Sequence, residues 1–320
     1  MNRDRSVRTI FLGSGSFAVP IVETIAAHPA VDLVATVTAP DRPAGRGRRP
    51  RGVPVALVAS GCGWPIFQPA RLHGDAAQHR LLELQPELLV LADYGQIVPT
   101  TLLDAAAHGA LNVHPSLLPR HRGASPVAAT ILAGDSETGV TVIRMDAGVD
   151  SGPIVAQERV PVAPDETAPR LEARLATLGA RLLSDLLEPW LRGQLVPLPQ
   201  ADTGATMTRR LRREDGRLDW TRPAVELERQ VRAYQPWPGS FAPSPAGTLT
   251  VWRAAVVAGA AHESRPGSGP GTVVPFGRGL AVVCGSGALE VLEVQLAGHG
   301  RMSGRDLRNG YSGLVGARLP

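Results

Sequence analysis

"RTIFLGSGSFAVPIVETIAAHP", residues 8–29, reads as a strand, a glycine turn and a helix. Val19, Val22, Ile25 and Ala26 fall on one helical face. The pattern repeats outward from this unit. "VDLVATVTAP" (31–40) is a second strand, and "LLELQPELLVLADYG" (81–95) is a helix end followed by a third. "GALNVHPS" (109–116) is a short fourth, "SPVAATILAGD" (125–135) is helical, and "GVTVIRMD" (139–146) and "PIVAQERVPV" (153–162) are extended. Strands alternating with helices predict an α/β fold, a mostly parallel sheet wound on both faces.

In "PDETAPRLEARLATLGARLLSDLLEPWLRG" (164–193), Leu171, Leu175, Leu178, Leu182 and Leu186 recur at helical spacing. That stripe predicts a long helix packed on the sheet, with Pro169 confined to its first turn. "GQLVPLPQADTGATMTRRLRRED" (193–215) loses the period and gains Pro, Gly and charge, so it reads as an inter-domain linker. Beyond it, "GTLTVWRAAVV", "GTVVPF", "GLAVVCGSG" and "ALEVLEVQLAG" are short strands between turns, as in a small barrel or sandwich. "GAAHESRPGSGP" (259–270) reads as an exposed loop.

The chain has 320 residues, room for two domains. No apolar run reaches the ~18 residues that span a bilayer. Two cysteines, Cys62 and Cys284, lie far apart and form neither a disulfide framework nor a metal pattern, which predicts a cytoplasmic protein. Lysine is absent, so every fixed positive side chain is arginine.

Four segments carry candidate chemistry. Gly13, Gly15 and Ala18 satisfy a dinucleotide fingerprint, with Asp41 placed as a ribose-binding acid. That admits an NAD-dependent oxidoreductase, although a tight turn for helix–strand packing explains the same glycines and is preferred. Asn112 and His114, two residues apart at a strand end, face one way and lie about 6.5–7 Å apart. Both can donate to one oxygen, as an oxyanion requires. In "MDAGVDSGP" (145–153), Asp150 is placed at the sheet's carboxyl edge to orient the imidazole, whereas Asp146 reads as an Asx turn. "PDRPAGRGRRPRG" (40–52) crowds Arg42, Arg46, Arg48, Arg49 and Arg51 among glycines, a candidate for contact with an RNA backbone. Arg209, Arg210, Arg212 and Arg213 read as a solvated linker face. Nucleophile and metal signatures are missing, which leaves oxyanion stabilisation and proton transfer, as in acyl or formyl transfer, with no metal.

The chain resembles the methionyl-tRNA formyltransferase family in four blocks: "APDRPAGRGRR" (39–49), residues 111–154 from "LNVHPSLLP" to "DSGPI", "RLDWTRPAVELERQVRAYQPWPGSF" (217–241) and "RMSGRDLRNGY" (301–311). The "NVHPSLLP" core is shared with folate-dependent purine and sugar-nucleotide formyltransferases, which stay open as an alternative. The resemblance implies a Rossmann-like catalytic domain (1–205, linker included) and a C-terminal OB-like tRNA-binding domain (206–320). It implies formyl transfer from 10-formyltetrahydrofolate to the amino group of initiator methionyl-tRNA, without metal or membrane and with no obligate protein partner. Asn112, His114 and Asp150 would be catalytic. Ser116, Leu117, Leu118, Pro119 and Tyr94 would meet folate, and Arg42, Arg46, Arg48 and Arg49 tRNA. The chain departs from the family pattern at "GSGSFA" (usually "GTPDFA"), at His121 (usually Trp or Tyr) and at Asp93 (usually small and apolar).

Overall fold

The computed structural model describes residues 6–44, 49–257 and 269–320. It divides into two compact units, each interleaved along the chain: Met1–Pro126, Glu137–Val162 and Leu171–Arg209 in the first, and Val127–Ser136, Ala163–Arg170 and Arg210–Pro320 in the second.

The first unit opens with β1 (Val7–Gly13), α1 (Ala18–Ala26) and β2 (Val31–Val37). There follow the hairpin β3 (Arg42–Ala44) and β4 (Arg49–Arg51), then α2 (Pro54–Cys62), β5 (Ile66–Phe67), α3 (Asp75–Glu83) and β6 (Leu88–Ala92). Next along the chain come α4 (Thr100–Ala105), β7 (Ala110–His114), β8 (Arg122–Gly123), α5 (Pro126–Ala133), β9 (Glu137–Arg144) and β10 (Ile154–Pro161). Of these, α5 belongs with the second unit from Val127 onward. The long α6 (Ala168–Leu191) and the short β11 (Met207–Thr208) complete this part of the chain.

Seven strands form one sheet in the order β10-β9-β7-β6-β1-β2-β5. Pairs from β5 through to β7 are parallel, while β9 runs antiparallel to β7 and β10 antiparallel to β9. The order reverses between β1 and β6, as in a doubly wound sheet. Its two faces bury different residues. Ile10, Leu12, Leu89, Leu91 and Ala110 pack with Leu81 of α3 and Leu102 of α4. On the other face α6 comes close enough that a Cβ on Gly179 would lie 2.8 Å from Val113 Cγ1.

In α1 the buried residues are Ala18, Ile21, Val22 and Ile25 rather than the expected set with Val19 and Ala26. Both stripes satisfy the helical period; Ile21 is on the buried side, its Cδ1 3.7 Å from where a Cβ on Gly179 of α6 would lie. The leucine stripe of α6 is buried at Leu171, Leu175, Leu178 and Leu186, joined by Leu183 and Leu187.

The second unit contains α7 (Ala224–Ala233), β12 (Ser240–Ser244), β13 (Gly247–Val257), β14 (Val273–Phe276), β15 (Gly279–Val283), β16 (Ala288–Leu296), β17 (Arg301–Ser303) and α8 (Gly304–Gly310). Its strands pair antiparallel in the order β12-β13-β16-β15-β14, with β17 on β16, consistent with a small barrel. Leu227 and Val231 of α7 close its core over Val251, Leu280 and Leu289. Among the described residues no helix is long and apolar enough to cross a membrane.

Candidate active site

β7 carries Asn112 and His114 to its carboxyl end. Ala110 of the same strand packs on the α3–α4 side, so strand alternation places both polar residues on that face. They meet on one carboxylate. Asn112 Nδ2 donates to Asp150 Oδ1 at 3.0 Å, and His114 Nδ1 lies 3.5 Å from Asp150 Oδ2. The backbone N–H of Gly123 donates to the same Oδ2 at 2.7 Å. His114 is buried, and its Nε2 lies 2.9 Å from the carbonyl oxygen of His121. A carbonyl only accepts, so Nε2 carries a hydrogen and Nδ1 is the ring atom turned to the carboxylate.

Asp150 arrives by a route the sequence did not suggest. Because β9 is antiparallel to β7, its end and the loop after it start at the amino edge of β7, with Arg144 opposite Leu111. The loop then folds back along β7 to bring Asp150 onto Asn112 and His114, with Asp150 at φ +49°. A left-handed conformation in a residue with a Cβ is costly, and His121 (φ +59°) and Asp93 (φ +47°) share it. Three of the four such residues in the described chain therefore stand at this edge. Asp146 makes the expected Asx turn, accepting from Gly148 N at 2.9 Å.

The segment after His114 is held by internal bonds. Ser116 and Leu118 are buried, and Ser116 Oγ donates to Arg120 O at 2.7 Å. Thr141 Oγ1 donates to Ser116 O and accepts from Leu118 N, while Gln157 Nε2 donates to Leu118 O. Leu117 and Pro119 are half-buried. Tyr94, two residues beyond β6, packs beside the α3–α4 core with its hydroxyl buried and unpartnered. Burial pushes its phenol up to about 12.

The fingerprint turn serves packing. A Cβ on Gly13 would lie 2.6 Å from Ala92 O, and one on Gly15 would lie 1.7 Å from Asp93 Oδ2. Ser14 Oγ accepts from Ala39 N, Ser16 Oγ donates to Glu172, and Asp41 accepts from Gln68. A carboxylate therefore lies against the turn where a pyrophosphate would approach, which disfavours the dinucleotide reading. His121 is buried, and its carbonyl is what the site uses.

Arg42 pairs with Arg51 and Ala44 with Arg49 across the β3–β4 hairpin, which follows the carboxyl end of β2. Arg46 and Arg48 lie outside the described residues, as does most of the expected loop 259–270. Among the described residues no group of His, Cys, Asp or Glu is arranged to hold a metal.

Sequence reasoning missed Gly123, the His121 carbonyl and a set of partners in the segment read as linker. That segment is strapped to the site: β11 pairs in parallel with β8, and Leu198 bridges Ile154. Gln200, Thr206 and Thr208 bond to the two loops that carry the site. A backbone group has no sequence signature, and a lone Gln in an aperiodic stretch has no spacing to mark it.

The chain matches the family described as formyl transferase over residues 7–187, and the formyl transferase C-terminal domain over 210–312. It is 43% identical to a methionyl-tRNA formyltransferase from Roseiflexus sp. (strain RS-1), covering 98% of this chain and 95% of that one. To a methionyl-tRNA formyltransferase from Myxococcus xanthus it is 41% identical over 97% of each. Among solved structures it shares its fold with an N-formyltransferase from Helicobacter canadensis in complex with folinic acid and dTDP-3-aminofucose, at a TM-score of 0.65 and 17% identity over 89% of this chain and 98% of that one. Near full-length identity of this size, with both domains matched in order, places the chain in the methionyl-tRNA formyltransferase family.

Proposed function

We propose that the protein transfers the formyl group of 10-formyltetrahydrofolate to the α-amino group of methionine on initiator tRNA, in the cytoplasm and without a metal. The observation that carries the chemistry is the convergence of Asn112, His114 and the Gly123 N–H on the Asp150 carboxylate.

The amine nitrogen attacks the formyl carbon, and the carbonyl π electrons move to oxygen. Collapse of that tetrahedral oxyanion breaks the carbon–N10 bond, and the proton lost by the amine ends on N10. Asn112 has two N–H groups. One is held by Asp150, and the other is left to donate to the oxyanion. His114 contributes through Nδ1. A proton placed there is hydrogen-bonded by Asp150 or given to the oxyanion, while Nε2 stays fixed on the His121 carbonyl. Asp150 orients both partners and relays the proton between amine and leaving nitrogen. Such acid–base help is worth about 10²–10⁴ in rate.

In the same reading Tyr94, with its buried unpartnered hydroxyl, and the segment Ser116, Leu117, Leu118 and Pro119 receive folate. Arg42, Arg46, Arg48 and Arg49 receive the tRNA backbone. The linker belongs with the catalytic domain as far as Arg209, where the first compact unit ends, four residues beyond the boundary expected at 205, and 210–320 form the tRNA-binding domain. Single-turnover transfer by Asn112→Ala and His114→Ala tests the chemistry: each should lose at least about 10²-fold in rate and bind charged tRNA as the parent does. Near-parental turnover in either would remove it from the reaction.

A further inference from the structure

Gln200 makes four hydrogen bonds, and all of them go to the two loops that define Asp150. Its Nε2 donates to the carbonyls of Asp150 and Gly152, each at 2.7 Å. Its Oε1 accepts from Arg122 Nε at 3.0 Å and from the terminal guanidinium nitrogen at 2.7 Å. Both N–H groups and the carbonyl of the amide are thereby engaged. Arg122 immediately precedes Gly123, whose N–H holds the Asp150 carboxylate. One side chain thus ties the backbone on both sides of Ser151 to the turn that grips Asp150 from the other direction.

The neighbouring residues continue the clamp. Thr206 Oγ1 accepts from His121 N at 2.8 Å, and Thr206 O accepts from Arg122 N at 2.9 Å. Thr208 Oγ1 accepts from Ser125 N and donates to Arg122 O. Asp150 and His121 both have positive φ, so their conformations persist only where surrounding bonds over-determine them.

We propose that Gln200 is a positioning residue for the transfer reaction: it holds the Asp150 loop and the His121–Gly123 turn in the one register at which the carboxylate faces Asn112 and His114. It touches no reacting atom and acts through Asp150. The inference rests on the proposed function for its kinetic consequence, and on the geometry alone for its structural one.

The test compares Gln200→Ala and Gln200→Glu with the parent in the full chain. Glutamate keeps the size and the acceptor for Arg122 but loses both donors to the Asp150 and Gly152 carbonyls. It therefore keeps the question answerable if the alanine variant folds poorly. Two readouts are taken. In formyl transfer, kcat should fall about 10- to 100-fold with KM for each substrate within about twofold, as misplacement of a catalytic group without lost binding requires. In amide hydrogen exchange, the Gly123 N–H and residues 150–152 should exchange at least about tenfold faster while the β1, β6 and β7 amides keep parental rates. Unchanged kcat and unchanged Gly123 exchange in both variants would overturn the proposal. So would faster exchange throughout the unit, which marks a general structural role. Were the parent itself to transfer no formyl group, the proposed function would fail, and exchange at Gly123 would still decide the role of Gln200.

Discussion

Asp150 holds a costly left-handed backbone, offset by three partners on its carboxylate. Removal of that carboxylate by Asp150→Ala leaves Asn112 and the Gly123 N–H without their acceptor in a half-buried site. We expect kcat to drop by at least about 10²-fold, with both KM values little changed; steady-state kinetics with each substrate varied reads this split. Tyr94 gives the complementary case. Its phenol is pushed by burial from an ordinary 10.0 to about 12. Between those values the unfolded chain has released the proton and the folded chain retains it, so stability falls as pH rises from 10 to 12 and is indifferent to this group below 10. Because the buried hydroxyl has no partner, Tyr94→Phe should leave Tm at neutral pH unchanged or higher and flatten the alkaline decline. Thermal unfolding of both proteins at pH 7 reads the Tm, and denaturant unfolding across pH 8–12 reads the decline; a lower Tm at neutral pH would mean that the hydroxyl has a partner.

At the scale of elements, β7 and α6 were legible in the sequence because each follows a period. Residues i and i+2 share a strand face, and the leucines of 171–186 recur as a helix demands. The antiparallel direction of β9 was not legible, since alternation looks the same whichever way a strand runs. For that reason Asp150 was expected at the right place by the wrong route. The strap β11 was hidden too: its pairing with β8 depends on two residues and on no pattern. Gly123 shows how closely those short strands meet. It has φ +96°, and a Cβ there would lie 2.3 Å from Thr208 O. Gly123→Ala should therefore cost about 1–3 kcal/mol and shift the N–H that holds Asp150, lowering kcat as well; thermal unfolding and initial rates together check this. A tolerant site with parental kcat would mean that the β8–β11 pairing does not bear on the reaction.

For the whole molecule, the sequence resolved two domain types, and the matches over 7–187 and 210–312 agree with it. The chain-level assignment of RNA binding rests on the arginine hairpin. Replacing Arg42, Arg46, Arg48 and Arg49 together with Ala should weaken tRNA binding and lower the slope of log K against log salt by about 0.7–0.9 for each phosphate that is no longer neutralised. Filter binding over a salt series reads the slope, and a parental slope would return the hairpin to an ordinary solvated surface. The two thiols give a check on the fold as a whole. Cys62 is exposed, while Cys284 is buried with its thiol pushed up to about 12. One thiol in two should react with a thiol reagent at neutral pH in the native chain, and both after unfolding.

The most direct test of the proposed activity is formyl transfer from 10-formyltetrahydrofolate to charged initiator methionyl-tRNA, measured beside charged elongator methionyl-tRNA and free methionine. Rapid transfer to the initiator alone is the result predicted. Transfer to none of the three would contradict it.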